Sequence, residues 1–267
     1  MERFFEANQA HWAAMTPIHV QSAFYDVPAF KAGRSSLQCI EVEELGVVQG
    51  KTLLHLMCHF GLDTLSWARA GAVVTGVDFS TEALTVARGL AEELGIPTRF
   101  IETNIYELPT VLDEQFDVVF TSYGVLCWLP DLDAWAKVIA QSLKSSGIFY
   151  MAEDHPTHAL LIQDDEGNFG LLPEYLPSGG PILGGPDDRD YADPDATVTT
   201  GTYEWSHTLG DVVSALSSAG LRVVWLHEHA GMAWRRFPTM TRDDHGWWTL
   251  PPPFDRLPLT FSLMATR

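Results

Sequence analysis

From Lys51 onward the sequence alternates between short apolar runs and amphipathic helical segments, and this alternation restricts the fold more than any other feature. Strands that alternate with helices at this spacing predict βαβ units and a parallel sheet. Right-handed crossovers then place the carboxyl ends of the strands at one edge of the sheet. The predicted strands are TLLHLM, AVVTGVDF, TRFIET, FDVVFTSY, GIFYMAE, LRVVWLHEH and LTFSLMATR.

The ends of the intervening helices are marked by capping residues. We expect one helix over Leu37–Leu45, closed by Gly46, because glycine is favoured just after a helix. Another begins with Ser80 or Thr81 as its N-cap and ends at Gly95. The segment DLDAWAKVIAQSLKSS is predicted to be helical up to the strand GIFYMAE.

The alternating pattern defines one domain, residues 51–267, preceded by an N-terminal helical lid segment, residues 1–50. Two irregular insertions interrupt the domain, at about 156–206 and at about 230–258. Long irregular segments within compact domains are usually functional lids or disordered inserts. We therefore expect these segments to cover the edge of the sheet where ligands bind.

Charge and cysteine usage limit the partners and the compartment. The formal net charge is −19, and no basic stripe of the kind that neutralises phosphates is present, so neither nucleic acid nor an anionic membrane is expected as a partner. A neutral or cationic small molecule fits this charge, although solubility alone also explains it. Three cysteines do not form a disulfide framework, no signal peptide is recognised, and no run approaches the ~20 apolar residues of a membrane helix. These features predict a cytoplasmic protein.

A cofactor site is predicted where the first two strands end. The strand TLLHLM leads into the loop CHFG, and the second strand ends at Asp78, a carboxylate placed to accept ribose hydroxyls. Only Gly61 remains of a glycine-rich loop, which argues against the pyrophosphate of NAD or FAD. S-adenosyl-L-methionine has no phosphate and tolerates a bulkier loop. The segments TNIYELP and SYGVLCW can line its adenine slot and sulfonium region.

With these motifs the whole chain resembles the class I S-adenosylmethionine-dependent methyltransferases, and within them a bacterial subgroup with the phrases LLHLMCHFGLDTLSWARAGAVVTGVDFS, FDVVFTSYGVLCWLPDL and FYMAEDHP. The resemblance implies a Rossmann-like α/β fold. Its seven-stranded sheet is mostly parallel with the last strand antiparallel, and helices cover both faces. The resemblance also implies S-adenosyl-L-methionine as cofactor. The cofactor-binding residues that it implies are His55, Met57, His59, Gly61, Asp78, Phe79, Asn104, Ile105 and Tyr123.

The chain departs from the family pattern at several of these positions. His55 stands where the family usually has an acidic residue, and Met57 and His59 occupy two glycine positions. Asn104 replaces the usual aspartate of the adenine segment. These departures leave a second interpretation open, in which the fold serves a reaction that does not use S-adenosyl-L-methionine, such as an intramolecular cyclisation.

Candidate acid–base residues follow the fourth and fifth strands. Glu153 and His155 come at the end of GIFYMAE, and Tyr123 ends the fourth strand, so all three belong to the ligand edge. A histidine titrates near neutral pH and can take a proton from an acceptor hydroxyl or amine. In the alternative interpretation, His155 only orders the lid that follows it. A metal site is not predicted, because the histidines and cysteines lack metal-binding spacing.

Aromatic residues near the predicted loops are candidates for the acceptor pocket. Aromatic faces attract sulfonium and ammonium cations and build apolar pockets, although core packing is the more common role of a single tryptophan. His229 joins them because it shares a strand face with His227, unless that strand end is merely solvated. The predicted substrate-binding residues are Trp12, Tyr25, Trp128, His229 and Trp234.

The predicted function is transfer of a methyl group from S-adenosyl-L-methionine to an oxygen or nitrogen atom of a small metabolite or natural-product intermediate. The diverted fold is the alternative, and a non-catalytic binding subunit is a further one. The acceptor molecule and the oligomeric state are not determined by the sequence.

Overall fold

The computed structural model describes residues 1–177, 179–184, 190–193, 195–196 and 198–267. The helices in these ranges are α1 Glu2–Gln21, α2 Val27–Lys31, α3 Cys39–Leu45, α4 Leu62–Arg69, α5 Thr81–Leu94, α6 Leu108–Val111, α7 Leu132–Ser142, α8 Thr157–Leu160 and α9 Leu209–Ser218. The strands are β1 Thr52–Leu56, β2 Val73–Asp78, β3 Arg99–Glu102, β4 Phe116–Ser122, β5 Leu143–Asp154, β6 Leu161–Gln163, β7 Phe169–Leu171, β8 Ile182–Gly184, β9 Thr202–Glu204, β10 Arg222–His229, β11 Gly231–Met232, β12 Thr241–Arg242, β13 Trp248–Thr249 and β14 Thr260–Thr266. None of these helices has the length and apolar character needed to cross a membrane.

The central sheet has seven strands in the order β10-β14-β5-β4-β1-β2-β3. Neighbouring strands from β3 to β5 pair in parallel, whereas β14 runs antiparallel to both β5 and β10. The predicted fold, including its antiparallel last strand, is therefore confirmed. Strand order reverses between β1 and β4, and in open α/β sheets ligands bind beyond the strand ends at this point.

Helices cover both faces because side chains alternate along each strand. On β1, Leu53 packs with Trp67 of α4 on one face, while Leu54 and Leu56 pack with Trp135 of α7 on the other. All of these side chains are buried. Burial on both faces explains why the parallel strands read as continuous apolar runs rather than as alternating ones.

Helix ends follow the predicted capping in α5 and differ from the prediction in α3. The Ser80 hydroxyl accepts the Ala83 amide, and Gly95 ends α5 in the left-handed conformation. Helix α3 was expected from Leu37, yet it begins at Cys39. Its first free amide is at Gln38, which donates to the Glu41 carboxylate in a capping box.

The fifth strand is longer than predicted. Helix α7 ends at Ser142, and β5 already begins at Leu143, whereas the segment up to Ser146 was expected to be helical. Pairing of Leu143 with Phe116 of β4 favours the strand, because it continues the parallel ladder beyond the β4 irregularity.

The two insertions contain short antiparallel strands instead of being wholly irregular. The described parts of the first hold the pairs β6–β7 and β8–β9, and the second holds the order β11-β13-β12. Of the predicted insertion 156–206, positions 178, 185–189, 194 and 197 lie outside the described residues. Helix α1 joins the first insertion to the sheet edge, because Asn8 exchanges two hydrogen bonds of 2.8 Å with the Tyr203 backbone.

Replacement of Gly76 by alanine should destabilise the fold. A Cβ at this β2 position would meet the Phe100 ring at 2.8 Å and the Cys58 sulfur at 2.9 Å, so we expect a loss of about 1–3 kcal/mol from overpacking. Gly89→Ala is the control, because that exposed helical position has open space and should gain about 0.5–1 kcal/mol. Urea unfolding measures both, and equal stability of the two variants would contradict the packing at Gly76.

Candidate active site

The loop after β1 keeps the backbone of a glycine-rich turn although two of its three key positions are not glycine. Met57, His59 and Gly61 all have positive φ, at 57°, 49° and 81°. This region disfavours side chains with a Cβ, and residues held there often lie at functional sites. At Gly61 an added Cβ would approach Ala87 and Phe100 to 3.0 Å, so close packing also requires glycine there.

The carboxylate of Asp78 holds this loop against the end of β2. One carboxylate oxygen accepts the His59 amide at 2.7 Å, and the other accepts the Ser80 amide at 2.9 Å. Burial raises the pKa of Asp78 to about 6, and the amide hydrogen bonds oppose that rise. Because two carboxylate oxygens offer about four lone-pair directions, each still has capacity for one further hydroxyl.

A cavity lies beyond the carboxyl ends of β1, β2 and β3, under helix α1. Its volume is about 30 Å³, enough for a water molecule or two but far below the ~300 Å³ of a small-ligand pocket. The lining residues are Phe5, Asn8, Met57, Val77, Asp78, Phe79, Thr103, Asn104, Ile105, Tyr106, Trp128 and Leu129. Five of the predicted cofactor residues, together with the predicted substrate residue Trp128, thus line one cavity.

The lining chemistry fits an adenosyl group. Met57, Val77 and Ile105 supply apolar walls for an adenine ring, and Asp78 supplies the acceptors for a ribose diol. The side-chain carbonyl of Asn104 caps the turn Ile105–Glu107 by accepting the Tyr106 backbone amide at 3.1 Å. A carbonyl oxygen can accept a second hydrogen bond, so an exocyclic amine can share this atom.

Helix α1 closes the cavity and is fastened to its rim. The Gln9 side-chain amide donates to the Phe79 carbonyl at 2.6 Å, and the Phe5 ring contacts Tyr106 with centroids 5.8 Å apart. Together with the bonds from Asn8 to Tyr203, these contacts attach α1 to the sheet edge and to the first insertion.

Beside the cavity, aromatic rings from five segments form one connected group, here called the aromatic cluster. The Trp12 ring lies 5.0 Å from His59 and 5.3 Å from Trp128, and the Tyr191 ring lies 5.1 Å from His19 and 6.1 Å from Trp234. The members of the cluster are Trp12, His19, Tyr25, His59, Trp128, Tyr191 and Trp234. The structure therefore brings four of the five predicted substrate residues together.

Two histidines and an aspartate of this region form a hydrogen-bonded chain. His59 Nε2 lies 2.9 Å from His19 Nδ1, and His19 Nε2 lies 3.0 Å from an Asp190 carboxylate oxygen. His19 is fully buried. Beside the chain, the hydroxyls of Tyr25 and Tyr191 are hydrogen-bonded to each other.

His55 and Tyr123 lie on the α3–α4 side of the strands rather than on the cavity wall. His55 is buried, its Nδ1 is 2.8 Å from the Thr64 hydroxyl, and burial lowers its pKa to about 3. The Tyr123 hydroxyl donates to the Glu41 carboxylate at 2.8 Å. Their assignment to the cofactor stays a prediction, and in this structure His55 Nδ1 and the Tyr123 hydroxyl are hydrogen-bonded within the protein.

Hydrogen bonds within the protein also occupy the Glu153 carboxylate and His155 Nδ1. The Glu153 carboxylate accepts the backbone amides of Val125, Leu126 and Asp154, at 2.7, 3.0 and 2.7 Å, and that of Gly124. Glu153 therefore shapes the loop after β4. His155 Nδ1 accepts the Thr157 amide, and its Nε2 lies 3.0 Å from Glu228, which orders the chain leaving β5.

His229, the fifth predicted substrate residue, contacts a different group. Its Nε2 lies 3.0 Å from the Ser262 hydroxyl, which in turn donates to Glu44 at 3.1 Å. His227 binds the same Glu44 oxygen at 2.8 Å, so the two histidines do share one strand face. That face meets α3.

Sequence reasoning missed His19, Asp190 and Tyr191. His19 follows Trp12 by seven positions, which puts both on one helix face, and this spacing was a usable signal. Asp190 and Tyr191 lie in an insertion without periodicity, so nothing in the sequence singled them out. Among the described residues no cluster of three or more histidine, cysteine or acidic side chains is arranged to hold a metal ion.

Comparison with known proteins agrees with this geometry. Residues 54–151 match a family model described as a methyltransferase domain. An S-adenosylmethionine-dependent methyltransferase structure from Mesorhizobium loti aligns over 89% of this chain and 100% of that one, with a TM-score of 0.60 and 18% identity. The chain has the class I methyltransferase fold. A complex of the glycopeptide N-methyltransferase MtfA with S-adenosyl-L-methionine shares this methyltransferase fold over 85% of this chain and 91% of that one, with a TM-score of 0.54 and 16% identity.

A curated relative matches part of the chain more closely in sequence. The ubiquinone biosynthesis O-methyltransferase of Photorhabdus laumondii is 34% identical over 106 residues, which cover 40% of this chain and 44% of that protein. The chain thus spans about half the length of the curated relatives that it matches. The narrower bacterial subgroup inferred from the motifs stays a prediction.

Stability should depend on pH through Glu41, which binds Tyr123 under α3. Burial, and then the Asp63 carboxylate, raise the pKa of Glu41 to about 8 from an ordinary 4.5. A raised folded-state pKa gives stability that is present below the unfolded value and lost as pH rises through the folded one. We expect wild type to lose at least about 1.4 kcal/mol, the equivalent of one pKa unit, between pH 6 and 9 relative to Glu41→Gln.

Urea unfolding at pH 6, 7.5 and 9 measures this difference. The glutamine variant imitates the protonated side chain and should be insensitive to this titration. Glu43→Gln is the control, because Glu43 is exposed on the same helix and should leave the pH dependence of wild type unchanged. Parallel pH curves for wild type and Glu41→Gln would show that Glu41 is ionised in the folded protein.

Proposed function

We propose that this chain transfers the methyl group of S-adenosyl-L-methionine to an oxygen or nitrogen atom of a small molecule. The observation that carries the proposal is the Asp78 carboxylate, which lies at the carboxyl end of β2 with both oxygens held by backbone amides and with acceptor capacity left. The methyltransferase domain match and the fold support it. When bound, the cofactor supplies an activated methyl group on a sulfonium.

The protein's contribution to this reaction is binding, alignment and exclusion of water. Asp78 would hold the ribose, and Met57 and Ile105 would hold the adenine between apolar surfaces. His59 connects this seat to the aromatic cluster, since its amide binds Asp78 and its ring contacts Trp12. Aromatic faces at this position attract a sulfonium or an ammonium cation.

The aromatic cluster is the proposed binding site for the methyl acceptor. Trp12, Tyr25, Trp128, Tyr191 and Trp234 are each half-buried, so their rings keep surface that a ligand can contact. The Trp234 indole N–H donates to Asp154 at 3.0 Å, which fixes the orientation of that ring. Burial and the neighbouring Glu153 raise the pKa of Asp154 to about 7.

Two further observations favour a small acceptor, and oxygen over nitrogen. A net charge of −19 repels nucleic acids and leaves neutral or cationic molecules as suitable acceptors. The curated relatives that match 40–47% of the chain are O-methyltransferases of ubiquinone biosynthesis, which supports an oxygen acceptor on a small molecule. Free thiols at all three cysteines suit the reducing cytoplasm that we propose as the compartment.

Cofactor binding should depend on Asp78 and on its ionisation. Asp78→Asn removes the charged acceptor, and we expect binding of S-adenosyl-L-methionine and S-adenosylhomocysteine to weaken at least tenfold at pH 7.5. In wild type, affinity should fall about tenfold between pH 7 and pH 5, because protonation below a pKa of about 6 neutralises the ribose acceptor. Titration calorimetry measures both effects.

Asp113→Asn is the matched control, because Asp113 is exposed in the loop before β4 and should leave binding unchanged. Binding in wild type that Asp78→Asn abolishes would support the cofactor and its seat, and would justify a screen of phenols, catechols and amines as acceptors. Failure of wild type to bind either compound would overturn the proposed activity and favour a fold diverted to another reaction.

Helix α1 must move for the cofactor to enter, since the cavity of about 30 Å³ cannot hold a nucleoside. Asn8→Ala removes the two hydrogen bonds to Tyr203, so we expect the association rate of S-adenosylhomocysteine to rise several-fold. Stopped-flow tryptophan fluorescence measures this rate. Gln21→Ala, which loses only a bond to Pro17 within the same helix, should match wild type. An unchanged rate in Asn8→Ala would contradict the role of α1 as the lid.

A further inference from the structure

When His19 is neutral, the hydrogen-bonded chain Asp190–His19–His59 fixes which nitrogen of each imidazole carries a proton. Asp190 is a carboxylate and can only accept, so a neutral His19 has its proton on Nε2, 3.0 Å from that oxygen. His19 Nδ1 is then a bare acceptor, and His59 Nε2, 2.9 Å away, must donate to it. The remaining nitrogen, His59 Nδ1, is consequently unprotonated.

His59 Nδ1 has no hydrogen-bond partner among the residues that the structure describes, whereas both nitrogens of His19 are engaged. His59 lies between the proposed cofactor-binding site and the proposed acceptor-binding site. Its backbone amide binds Asp78 at 2.7 Å, and its ring lies 5.0 Å from Trp12 and 5.8 Å from Tyr25. Glu153 and Tyr123 have no comparable free acceptor, because the protein's own groups occupy them. His155 Nδ1 accepts the Thr157 amide, which places the proton of a neutral His155 on Nε2, 3.0 Å from a Glu228 oxygen.

We propose that His59 is the general base that takes the acceptor's proton through Nδ1, and that His19 and Asp190 are positioning residues that hold it in the competent tautomer. This inference rests on the proposed methyl transfer. The placement of the base within the loop after β1 brings proton removal to the same residue whose amide orders Asp78.

The hydrogen-bonded chain Asp190–His19–His59 determines where each proton goes in this step. As the acceptor O–H or N–H bond breaks, its proton binds His59 Nδ1, and the acceptor's electron pair forms the new bond to the methyl carbon while the methyl–sulfur bond breaks. The proton on His59 Nε2 passes to His19 Nδ1. The positive charge then lies on His19, a doubly protonated imidazole beside the Asp190 carboxylate. When the site opens, His59 Nδ1 releases the acceptor's proton to solvent and the proton on His19 Nδ1 returns to His59 Nε2, which restores the starting tautomers.

The surroundings keep His59 neutral until it reacts. Burial, and then the neighbouring His19, lower the pKa of His59 well below its usual range. The hydrogen bond to His19 contributes to a lowered pKa of Asp190, so that carboxylate remains ionised. The other titratable groups that face the pair are His11 on α1, Tyr25, Tyr191 and, through the His59 amide, Asp78.

Long-range ¹H–¹⁵N NMR of histidine-labelled protein tests the tautomers without any acceptor or cofactor. Wild type should show His59 with its proton on Nε2 and Nδ1 bare. In Asp190→Asn the side-chain amide can donate to His19 Nε2, which should move the proton of His19 to Nδ1 and that of His59 to Nδ1. Wild-type His59 protonated on Nδ1, or no change in Asp190→Asn, would overturn the proposal.

Steady-state kinetics tests the catalytic role of the hydrogen-bonded chain Asp190–His19–His59. The acceptor is the phenol, catechol or amine that the screen identifies as a substrate. We expect kcat to fall about 100-fold in His59→Gln and in Asp190→Asn, the usual size of a general-base contribution, with binding of S-adenosyl-L-methionine unchanged. The acidic limb of the kcat–pH profile in wild type should disappear in His59→Gln. His245→Gln, an exposed histidine in the second insertion, should behave as wild type.

The outcomes separate this inference from the proposed function. Wild type that binds the cofactor and methylates an acceptor, with the rate and pH profile unchanged in His59→Gln, would overturn the base alone and leave the histidines as a link between α1 and the loop. Wild type that binds no cofactor would overturn the methyl transfer and the base together. A slow Asp190→Asn with normal cofactor binding and inverted tautomers would establish both.

Discussion

The hydrogen bond from the His59 amide to the Asp78 carboxylate holds together the first loop and the second strand, and much of the site depends on it. Left-handed conformations at Met57 and His59 cost about 1–2 kcal/mol per residue. A charge-assisted hydrogen bond is worth about 1.5–3 kcal/mol and offsets much of that strain. The loop therefore keeps a glycine-type backbone while carrying side chains, and one of these, His59, brings an imidazole into the aromatic cluster beside the cavity.

The second determinant of the site is the long-range attachment of α1. Its residues reach the first insertion through Asn8 and Tyr203 and through His19 and Asp190, which are 195 and 171 positions apart in the chain. The helix covers the cavity at the end of β2 with one part of its length and contributes Trp12 and His19 to the aromatic cluster with another. In the proposed function, opening for the cofactor and assembly of the acceptor site are consequently coupled through one helix.

Patterns of neighbouring residues predicted some structural elements correctly and missed others. The β1 run and the capping at Ser80 and Gly95 depend on neighbours within a few positions, and the strand–helix order was predicted correctly from them. The antiparallel last strand was implied by the family resemblance and is confirmed. The position of Asp78 at the end of β2 followed from the same pattern. The start of β5 at Leu143 was missed, because a partner strand, not the local sequence, extends it.

The sequence by itself determined the layered α/β fold and the edge of the sheet where ligands bind, since hydrophobic periodicity and capping are local properties that fix strands, helices and their crossovers. Only the tertiary structure decided which polar groups form hydrogen bonds within the protein and which remain available to a substrate. Glu153 looks like a candidate base in the sequence, yet backbone amides of the next loop occupy its carboxylate. His59 looks like a substitution for glycine, yet contacts from positions 19 and 190 orient its ring. Such contacts depend on how distant segments pack, and the pattern of neighbouring residues in the sequence does not predict them.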